Sequence, residues 1–147
     1  MARCLVVANQ TLGGKALVEA VQRRVNKGLA TFYVVVPATP LHDQALAEDL
    51  GAGPSPEERA YALARQRLDR ALTRLRDLGA VVDGEVGDAD ALEATRQALN
   101  RFSADEVLVS TLPLGVSRWL RIDLPSRIAR TCGLPVDHVI SEPVSQR

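Results

Sequence analysis

The sequence has few aromatic residues and no excess of charge. Aromatic residues make up 3% of the 147 residues, against an apolar content of 46%. The core must therefore be built from Val, Leu, Ile and Ala. Lysine plus arginine and aspartate plus glutamate both number 18, and this balance argues against nucleic acid or an anionic membrane surface as the partner.

Long apolar runs and a dense set of cysteines are also missing. No run approaches the roughly 20 residues that span a bilayer, and we expect neither a signal peptide nor membrane insertion. Cys4 and Cys132 are far apart in the sequence. Two isolated cysteines without a leader predict buried free thiols and a cytoplasmic protein rather than a disulfide.

Motifs of the common enzyme classes do not occur. The sequence has no Cys/His cluster with metal-ligand spacing and no Gly-x-Ser-x-Gly elbow. The run Gly13-Gly14-Lys15 lacks the preceding glycine and the following Ser or Thr of a Walker loop. His42 and His138 have no nucleophile beside them in the sequence. We therefore predict no catalytic residue and no metal site, and we do not expect an enzyme.

Short apolar runs alternate with amphipathic segments along the chain. The runs, each typical of a strand covered on both faces, are residues 4–8, 31–36, 80–86, 105–109 and 136–140. Helical spacing covers 15–27, 55–78 and 90–102, with two shorter pieces after 117. Because helical crossovers join parallel strands, the order predicts one α/β domain over residues 1–147, with five parallel strands in a three-layer α/β/α arrangement.

Capping signals mark the starts of two helices. Ser55, followed by Pro56 and Glu58, predicts a capping box, and Asp90 with Glu93 predicts a second one. Both helices carry apolar stripes that we expect to face the sheet. The stripes are Tyr61, Ala64, Leu68, Ala71, Leu72, Leu75 and Leu78 in the first helix, and Leu92, Thr95, Leu99 and Phe102 in the second.

Residues 38–54 show no clear period. Proline, glycine, histidine and acidic residues alternate there with a few Ala and Leu. Little apolar surface is available to hold such a segment down, so we predict a mobile loop, with one helical turn around 44–49.

The most informative stretch is residues 110–129. It follows the fourth apolar run and contains the only tryptophan of the chain, Trp119. Ser117 can cap a short helical turn, and Pro125 suits the first turn of a second helix because its missing N–H costs nothing there. Asp123, just before Pro125, is a plausible cap of that second helix.

A strand, a loop with a short helical turn, a helix and a closing strand resemble the C-terminal third of universal stress proteins. The whole chain, from Cys4-Leu-Val-Val-Ala to Leu134-Pro-Val-Asp-His-Val, has the length and element order of one such domain. The resemblance implies an adenine nucleotide alpha hydrolase-like sheet in the order 3-2-1-4-5. It also implies a role in stress response and a homodimer through Val136–Ile140, a short edge strand that needs a cover.

In that family the loop after the fourth strand carries Gly, two residues, Gly, nine residues, then Gly followed by Ser or Thr, and it holds ATP phosphates. Here Gly115 is kept, Ser110 or its neighbour replaces the first glycine, and Ile122-Asp123 stands roughly where Gly-Ser/Thr would. A carboxylate at Asp123 would take the helix N–H groups and repel a phosphate. The family's acidic residue after the first strand is replaced by Asn9, although Asp88 follows the third strand. The resemblance therefore implies a nucleotide site in which ATP binding is weak or lost.

In a sheet of this order, ligands bind beyond the carboxyl ends of the first and fourth strands, where the strand order reverses. Arg118 and Arg121 could bind a phosphate or carboxylate there, or pair with Asp123 and surface acids. Polar strand ends equally suit contact with solvent. The candidate ligand-binding residues are Asn9, Gln10, Thr11, Ser110, Thr111, Gly115, Arg118 and Arg121.

Two classes of function remain open at this point. The first is a binding or regulatory module of the universal stress type, for which ATP, AMP or a small anion is a possible ligand and no cofactor is certain. The second is an interaction domain without ligand that dimerises or docks to a protein partner such as a transporter. A nucleotide-hydrolysing enzyme is a more distant third alternative.

Overall fold

The structure, a computed structural model of the chain, describes residues 2–28, 30–39, 55–113 and 117–141, and only the backbone of residues 118 and 121. Strands and helices alternate along it. The strands are β1 (Ala2–Val7), β2 (Ala30–Pro37), β3 (Val81–Gly87), β4 (Glu106–Thr111) and β5 (Val136–Ile140). The helices are α1 (Lys15–Asn26), α2 (Pro56–Asp77), α3 (Ala91–Arg101), α4 (Arg118–Arg121) and α5 (Leu124–Cys132).

The five strands form one parallel sheet in the order β3-β2-β1-β4-β5. The central strand, β1, pairs with β2 on one side and with β4 on the other, so that Cys4 lies between Phe32 and Glu106. The expected strand order and the all-parallel pairing are confirmed. The chain continues from β1 to β2 on one side of the sheet and from β4 to β5 on the other side. The switch point of the fold therefore lies between the carboxyl ends of β1 and β4.

Each face of the sheet is covered by its own helices. One buried cluster joins α1 and α2 to the side chains of alternate strand residues, including Val6, Val34 and Leu108. A second cluster joins α3 and α5 to the other set of alternate strand residues, including Val7 and Val109. The inner strands β1, β2 and β4 are therefore largely buried on both faces, which is the reason that they are mostly apolar in the sequence.

The two predicted capping signals form as expected at the helix N-termini. The Ser55 Oγ accepts a hydrogen bond from the Glu58 N–H at 3.2 Å, and the Asp90 carboxylate accepts one from the Glu93 N–H at 3.1 Å. The second box is incomplete, however. The Glu93 carboxylate accepts from Gln97 at 3.1 Å, and from Arg96, instead of returning to the cap.

The apolar stripes differ from the expectation at three positions. Tyr61 is 54% exposed, and the neighbouring Ala60, 3% exposed, takes its place in the α2 stripe. The most buried residues of α3 are Ala91, Ala94, Thr95 and Ala98, while Leu92 and Leu99 pack only partly against the core. Small residues are required at this contact because α3 lies very close to the sheet, and a Cβ on Gly87 would be 2.7 Å from the Ala94 Cβ.

Both cysteines are free thiols, as predicted. Cys4 is fully buried, and burial raises the pKa of its thiol to about 12. Cys132 is half-buried, contrary to the expectation that both are buried, because it lies at the end of α5.

Residues 40–54, which hold most of the predicted mobile loop, His42 and the predicted turn at 44–49, lie outside the described residues. Within the described ranges, no helix is both long enough and apolar enough to cross a membrane.

Candidate functional site

The carboxyl ends of β1 and β4 bring two hydroxyl side chains together. The Thr11 Oγ1 and the Ser110 Oγ lie 2.6 Å apart, and both residues are 1% exposed. This contact joins the loop after β1 to the carboxyl end of β4 at the switch point. The sequence placed both residues here because parallel strands end at the same edge of the sheet.

A shallow pocket that opens to solvent lies above this contact, with a cavity volume of about 50 Å³. That volume is well below the roughly 300–1,000 Å³ of ordinary ligand pockets. Its residues come from the ends of β1, β2 and β4 and from the loop into α4. They are Asn9, Gln10, Thr11, Thr39, Ser110, Thr111, Leu112, Ser117 and Trp119.

Five of the predicted ligand-binding residues, Asn9, Gln10, Thr11, Ser110 and Thr111, line this pocket. Gly115 and the side chains of Arg118 and Arg121 lie outside the described residues, so their place in the site stays a prediction. The pocket therefore contains the uncharged part of the predicted site.

Asn9 is held by two protein groups. Its Nδ2 donates to the Pro37 carbonyl at 2.8 Å, and its Oδ1 accepts from the Arg67 guanidinium at 2.6 Å. The residue is 7% exposed. Its amide therefore ties the carboxyl ends of β1 and β2 together and positions Arg67 of α2 beside the pocket, which sequence reasoning did not anticipate.

His138 has a hydroxyl neighbour that the sequence did not reveal. Its Nε2 lies 2.7 Å from the Thr111 Oγ1, because β4 and β5 are adjacent. Burial lowers the pKa of the imidazole, and the nearby charge of Asp137 offsets this in part. Among the described residues no carboxylate orients the imidazole, as a nucleophile and base pair would require.

Ser117 caps α4 as predicted. The Ser117 Oγ accepts from the Leu120 N–H at 3.2 Å, and the Ser117 N–H donates to the Pro113 carbonyl at 3.1 Å. Ser117 is 3% exposed. These bonds confirm the short helical turn and place Trp119 at the pocket, where it packs partly on the α3 and α5 core.

Asp123 does not cap α5 in the predicted way. It occupies the N-cap position, but its backbone is left-handed (φ 54°, ψ 48°) and its side chain makes no capping hydrogen bond. Capping side chains generally need an extended backbone at this position. Asp123 is the one residue other than glycine with positive φ in the described part of the chain. The carboxylate therefore leaves the first N–H groups of α5 untaken, contrary to our expectation.

Asp88, at the end of β3, has a local structural role. Its Oδ1 accepts from the Asp90 N–H at 2.8 Å, and the side chain is exposed. This bond orders the turn into α3, as an N-terminal capping role requires.

Beside the start of α1, Ser141 packs against Gly14. A Cβ on Gly14 would meet the Thr11 carbonyl oxygen at 2.9 Å and the Ser141 Cβ at 3.1 Å, so glycine is needed there. Ser141 is 5% exposed, and its Oγ has no hydrogen-bond partner among the described residues. Its N–H donates to the Thr111 carbonyl at 2.9 Å.

Sequence reasoning missed Arg67, and it missed four of the pocket residues: Thr39, Leu112, Ser117, which was predicted only as a cap, and Trp119. Thr39 follows β2, so its place at the carboxyl edge could have been inferred from the strand order. Trp119 was noticed only as the single tryptophan of the chain. Arg67 gave no signal, since it is one of six arginines in α2.

No group of three or more His, Cys, Asp or Glu side chains in the described segments is arranged to hold a metal ion. The polar groups of the pocket are hydroxyls and amides, which suit hydrogen bonding to a small polar ligand.

Neither a family model nor a curated protein matches the chain. Solved structures do. A universal stress protein family member from Burkholderia pseudomallei is 15% identical, with a TM-score of 0.63 over 94% of this chain and 95% of its own. A universal stress protein family protein from Arabidopsis thaliana, solved with AMP bound, is 9% identical, with a TM-score of 0.58 over 97% of this chain and 93% of its own.

A third similar structure is a universal stress protein in complex with cAMP. It is 18% identical, with a TM-score of 0.54 over 97% of this chain and 98% of its own. Identities this low carry no information about individual site residues. Together with the parallel sheet in the order β3-β2-β1-β4-β5, these structures confirm the resemblance at the level of fold: the chain has the universal stress protein fold.

Proposed function

We propose that this protein is a regulatory module of the universal stress type, acting in the cytoplasm, and that it binds a small nucleotide such as AMP or cAMP in the pocket at the carboxyl edge of the sheet. The observation that carries the proposal is the cluster of buried hydroxyls at the switch point. Thr11, Ser110 and Thr111 are each 2% exposed or less, and all three line an open pocket.

The chemistry of the pocket supports a ligand with a flat, partly apolar base and a polar sugar. Trp119 and Leu112 supply apolar surface, and the hydroxyls supply donors and acceptors. Two structures with the same fold contain AMP and cAMP, which makes these two nucleotides the first ligands to test.

We propose further that ATP binds weakly or not at all. A triphosphate needs several backbone N–H groups, and the first turn of α5 contains Pro125, which has none. The sequence also replaces two glycines of the phosphate loop. A residue other than glycine forced to positive φ costs roughly 1–2 kcal/mol, which corresponds to about tenfold in affinity.

A ligand screen by thermal shift, followed by calorimetric titration, tests this proposal. ATP, AMP, cAMP, adenosine and phosphate are compared. We expect AMP or cAMP to raise the melting temperature, with ATP about tenfold weaker or more. Asp123→Asn removes the charge while tolerating the left-handed backbone, and we expect it to improve ATP affinity. Absence of binding by every nucleotide would refute the nucleotide site. Low-micromolar ATP binding that ignores Asp123→Asn would refute the weak-ATP proposal.

The alternative proposal, an interaction domain, is favoured by one feature of β5. This strand forms an edge of the sheet, and Ile140 at its end is 51% exposed. An apolar edge strand is a template for pairing with a second chain. We propose that the protein forms a homodimer through Val136–Ile140, with or without a ligand.

The two edge strands of the sheet, β5 and β3, offer a matched test of the dimer. Val81 on β3 is 65% exposed. Light scattering of the wild type should give twice the 15.9 kDa of one chain. Ile140→Lys should reduce the mass to that of one chain, and Val81→Lys should leave the dimer intact. A monomeric wild type at high concentration, or equal effects of both substitutions, would contradict the proposed interface.

A further inference from the structure

Arg67 is a half-buried cation that reaches the pocket through Asn9. It lies in the middle of α2, and its guanidinium donates to the Asn9 Oδ1 at 2.6 Å. Asn9 is almost fully buried, and its Nδ2 is bound to the end of β2. The guanidinium is thus held at the carboxyl edge of the sheet, next to Asn9, which lines the pocket.

The described residues provide no negative partner for this charge. No carboxylate among them lies within 4.0 Å of the Arg67 nitrogens, and Asn9 is the one acceptor that they offer. A guanidinium has five N–H donors in a fixed fork. Burial partly removes the guanidinium from water and lowers the pKa of Arg67, and no ion pair with a described residue offsets this.

With Asn9 as its one described acceptor, the Arg67 guanidinium keeps N–H donors that an added anion could accept from, and such an anion would stabilise the charge. A phosphate group matches its fork with two parallel hydrogen bonds and supplies the missing opposite charge. Asn9 lines the pocket and also binds Arg67, so a phosphate held beside Asn9 would lie next to the guanidinium.

We propose that Arg67 is an anion-binding residue of this site, positioned by Asn9, and that it binds the phosphate group of the small nucleotide. The inference rests on the proposed function for the identity of the ligand. It assigns the phosphate to Arg67 of α2 rather than to Arg118 and Arg121, whose place in the site stays a prediction. Asn9 acts as the positioning residue and contacts the nucleotide only secondarily.

The test compares ligands with and without a phosphate in matched variants. Arg67→Gln keeps an N–H donor for Asn9 but removes the charge, and Arg67→Lys keeps the charge but loses the fork. Arg70→Gln is the control, because Arg70 is an exposed arginine on the same helix. AMP, adenosine and pyrophosphate are titrated by calorimetry against each protein, and melting temperatures check that each variant folds.

We expect Arg67→Gln to weaken AMP at least about tenfold and adenosine less than twofold. Arg67→Lys should recover part of the AMP affinity, and Arg70→Gln should bind like the wild type. Unchanged AMP binding in Arg67→Gln, or a loss only in Arg118→Ala, would overturn the assignment while leaving the nucleotide site intact.

The pyrophosphate arm separates this inference from the proposed function. If the wild type binds neither AMP nor adenosine, the nucleotide proposal fails. Pyrophosphate binding that is lost in Arg67→Gln would then still establish the anion site. If pyrophosphate binds the wild type and Arg67→Gln equally, or binds neither, Arg67 is not an anion-binding residue and the inference fails as well.

Discussion

The amino ends of the parallel strands form one edge of the sheet (the amino edge), and their carboxyl ends form the other (the carboxyl edge). Each of these edges holds a half-buried arginine, and the two arginines have opposite surroundings. At the amino edge, the Arg24 guanidinium donates to Glu106 at 2.7 Å and to Asp137 at 2.8 Å. At the carboxyl edge, Arg67 donates to the neutral amide of Asn9. One arginine is saturated by two carboxylates, while the other meets none among the residues that the structure describes.

The pKa shifts follow this difference. Burial opposes the charge on Arg24, but its hydrogen bonds to Glu106 and Asp137 outweigh that cost and raise the pKa above the usual range for arginine. Burial alone acts on Arg67 and lowers its pKa. The polar groups at the amino edge therefore stabilise the fold, because Arg24 joins α1 to β4 and β5. The carboxyl edge keeps polar capacity that an external ligand can use.

The largest expected effect compares the two arginines in stability. Arg24→Met should lower the free energy of unfolding by roughly 2–3 kcal/mol, because two carboxylates lose their charge-assisted hydrogen bonds. Arg67→Met should change it by less than about 1 kcal/mol, because removing an uncompensated half-buried charge offsets the loss of the donor to the buried Asn9 Oδ1. Urea denaturation followed by circular dichroism measures both values.

The exposed arginines Arg23 on α1 and Arg70 on α2 provide controls for side-chain loss on each helix. Arg23→Met and Arg70→Met should both stay within about 0.5 kcal/mol of the wild type. If Arg24→Met and Arg67→Met cost the same, the two edges would not differ in the way described.

A smaller effect separates two buried hydroxyls at the carboxyl edge. Ser110→Ala should cost about 1–2 kcal/mol, because the Thr11 hydroxyl, 1% exposed, loses its partner. Ser141→Ala should be neutral or stabilising by up to about 1 kcal/mol, because the Ser141 Oγ has no partner to lose. The same denaturation measurement decides, and a larger loss for Ser141→Ala would show that this hydroxyl has a bond outside the described residues.

The smallest effect is the pH dependence that His138 gives to stability. Its pKa is lower in the folded protein than the ordinary 6.5, so the unfolded chain binds more protons in this range. The contribution of neutral His138 to the free energy of unfolding is complete above pH 6.5. It is lost as the pH falls through the lower pKa of His138 in the folded protein. His138→Gln, which can still bond to Thr111, should flatten the decline between pH 7 and pH 5 in urea midpoints. A steeper decline in the variant would reverse the sign of the shift.

The frame of the fold could be predicted because it depends on local patterns. Strands buried on both faces give continuous apolar runs, and Ser55, Asp90 and Ser117 supply caps within three residues of the N–H groups that they accept from. Tyr61 was predicted wrongly because the neighbouring Ala60 fits the same helical period and is the residue that is buried. The alanine face of α3 was missed because close packing at Gly87 depends on a distance between elements.

The site could be predicted only in part. Thr11 and Ser110 follow from the strand order, since they end adjacent parallel strands. The contacts of Arg67 with Asn9 and of His138 with Thr111 join residues that are 58 and 27 positions apart. Asp123 was misread because its left-handed backbone is not visible in the sequence. Such contacts depend on side-chain positions in three dimensions, which no local pattern records.

The most direct test of the difference between the two edges is a titration of the isotope-labelled protein with AMP, followed by backbone amide and tryptophan indole NMR signals. The account predicts that shifts concentrate at the carboxyl edge, at Thr11, Thr39, Ser110 and Thr111 and at the Trp119 indole. Signals of Arg24, Glu106 and Asp137 at the amino edge should stay fixed. Shifts centred on the amino edge, or no shifts at millimolar AMP, would contradict it.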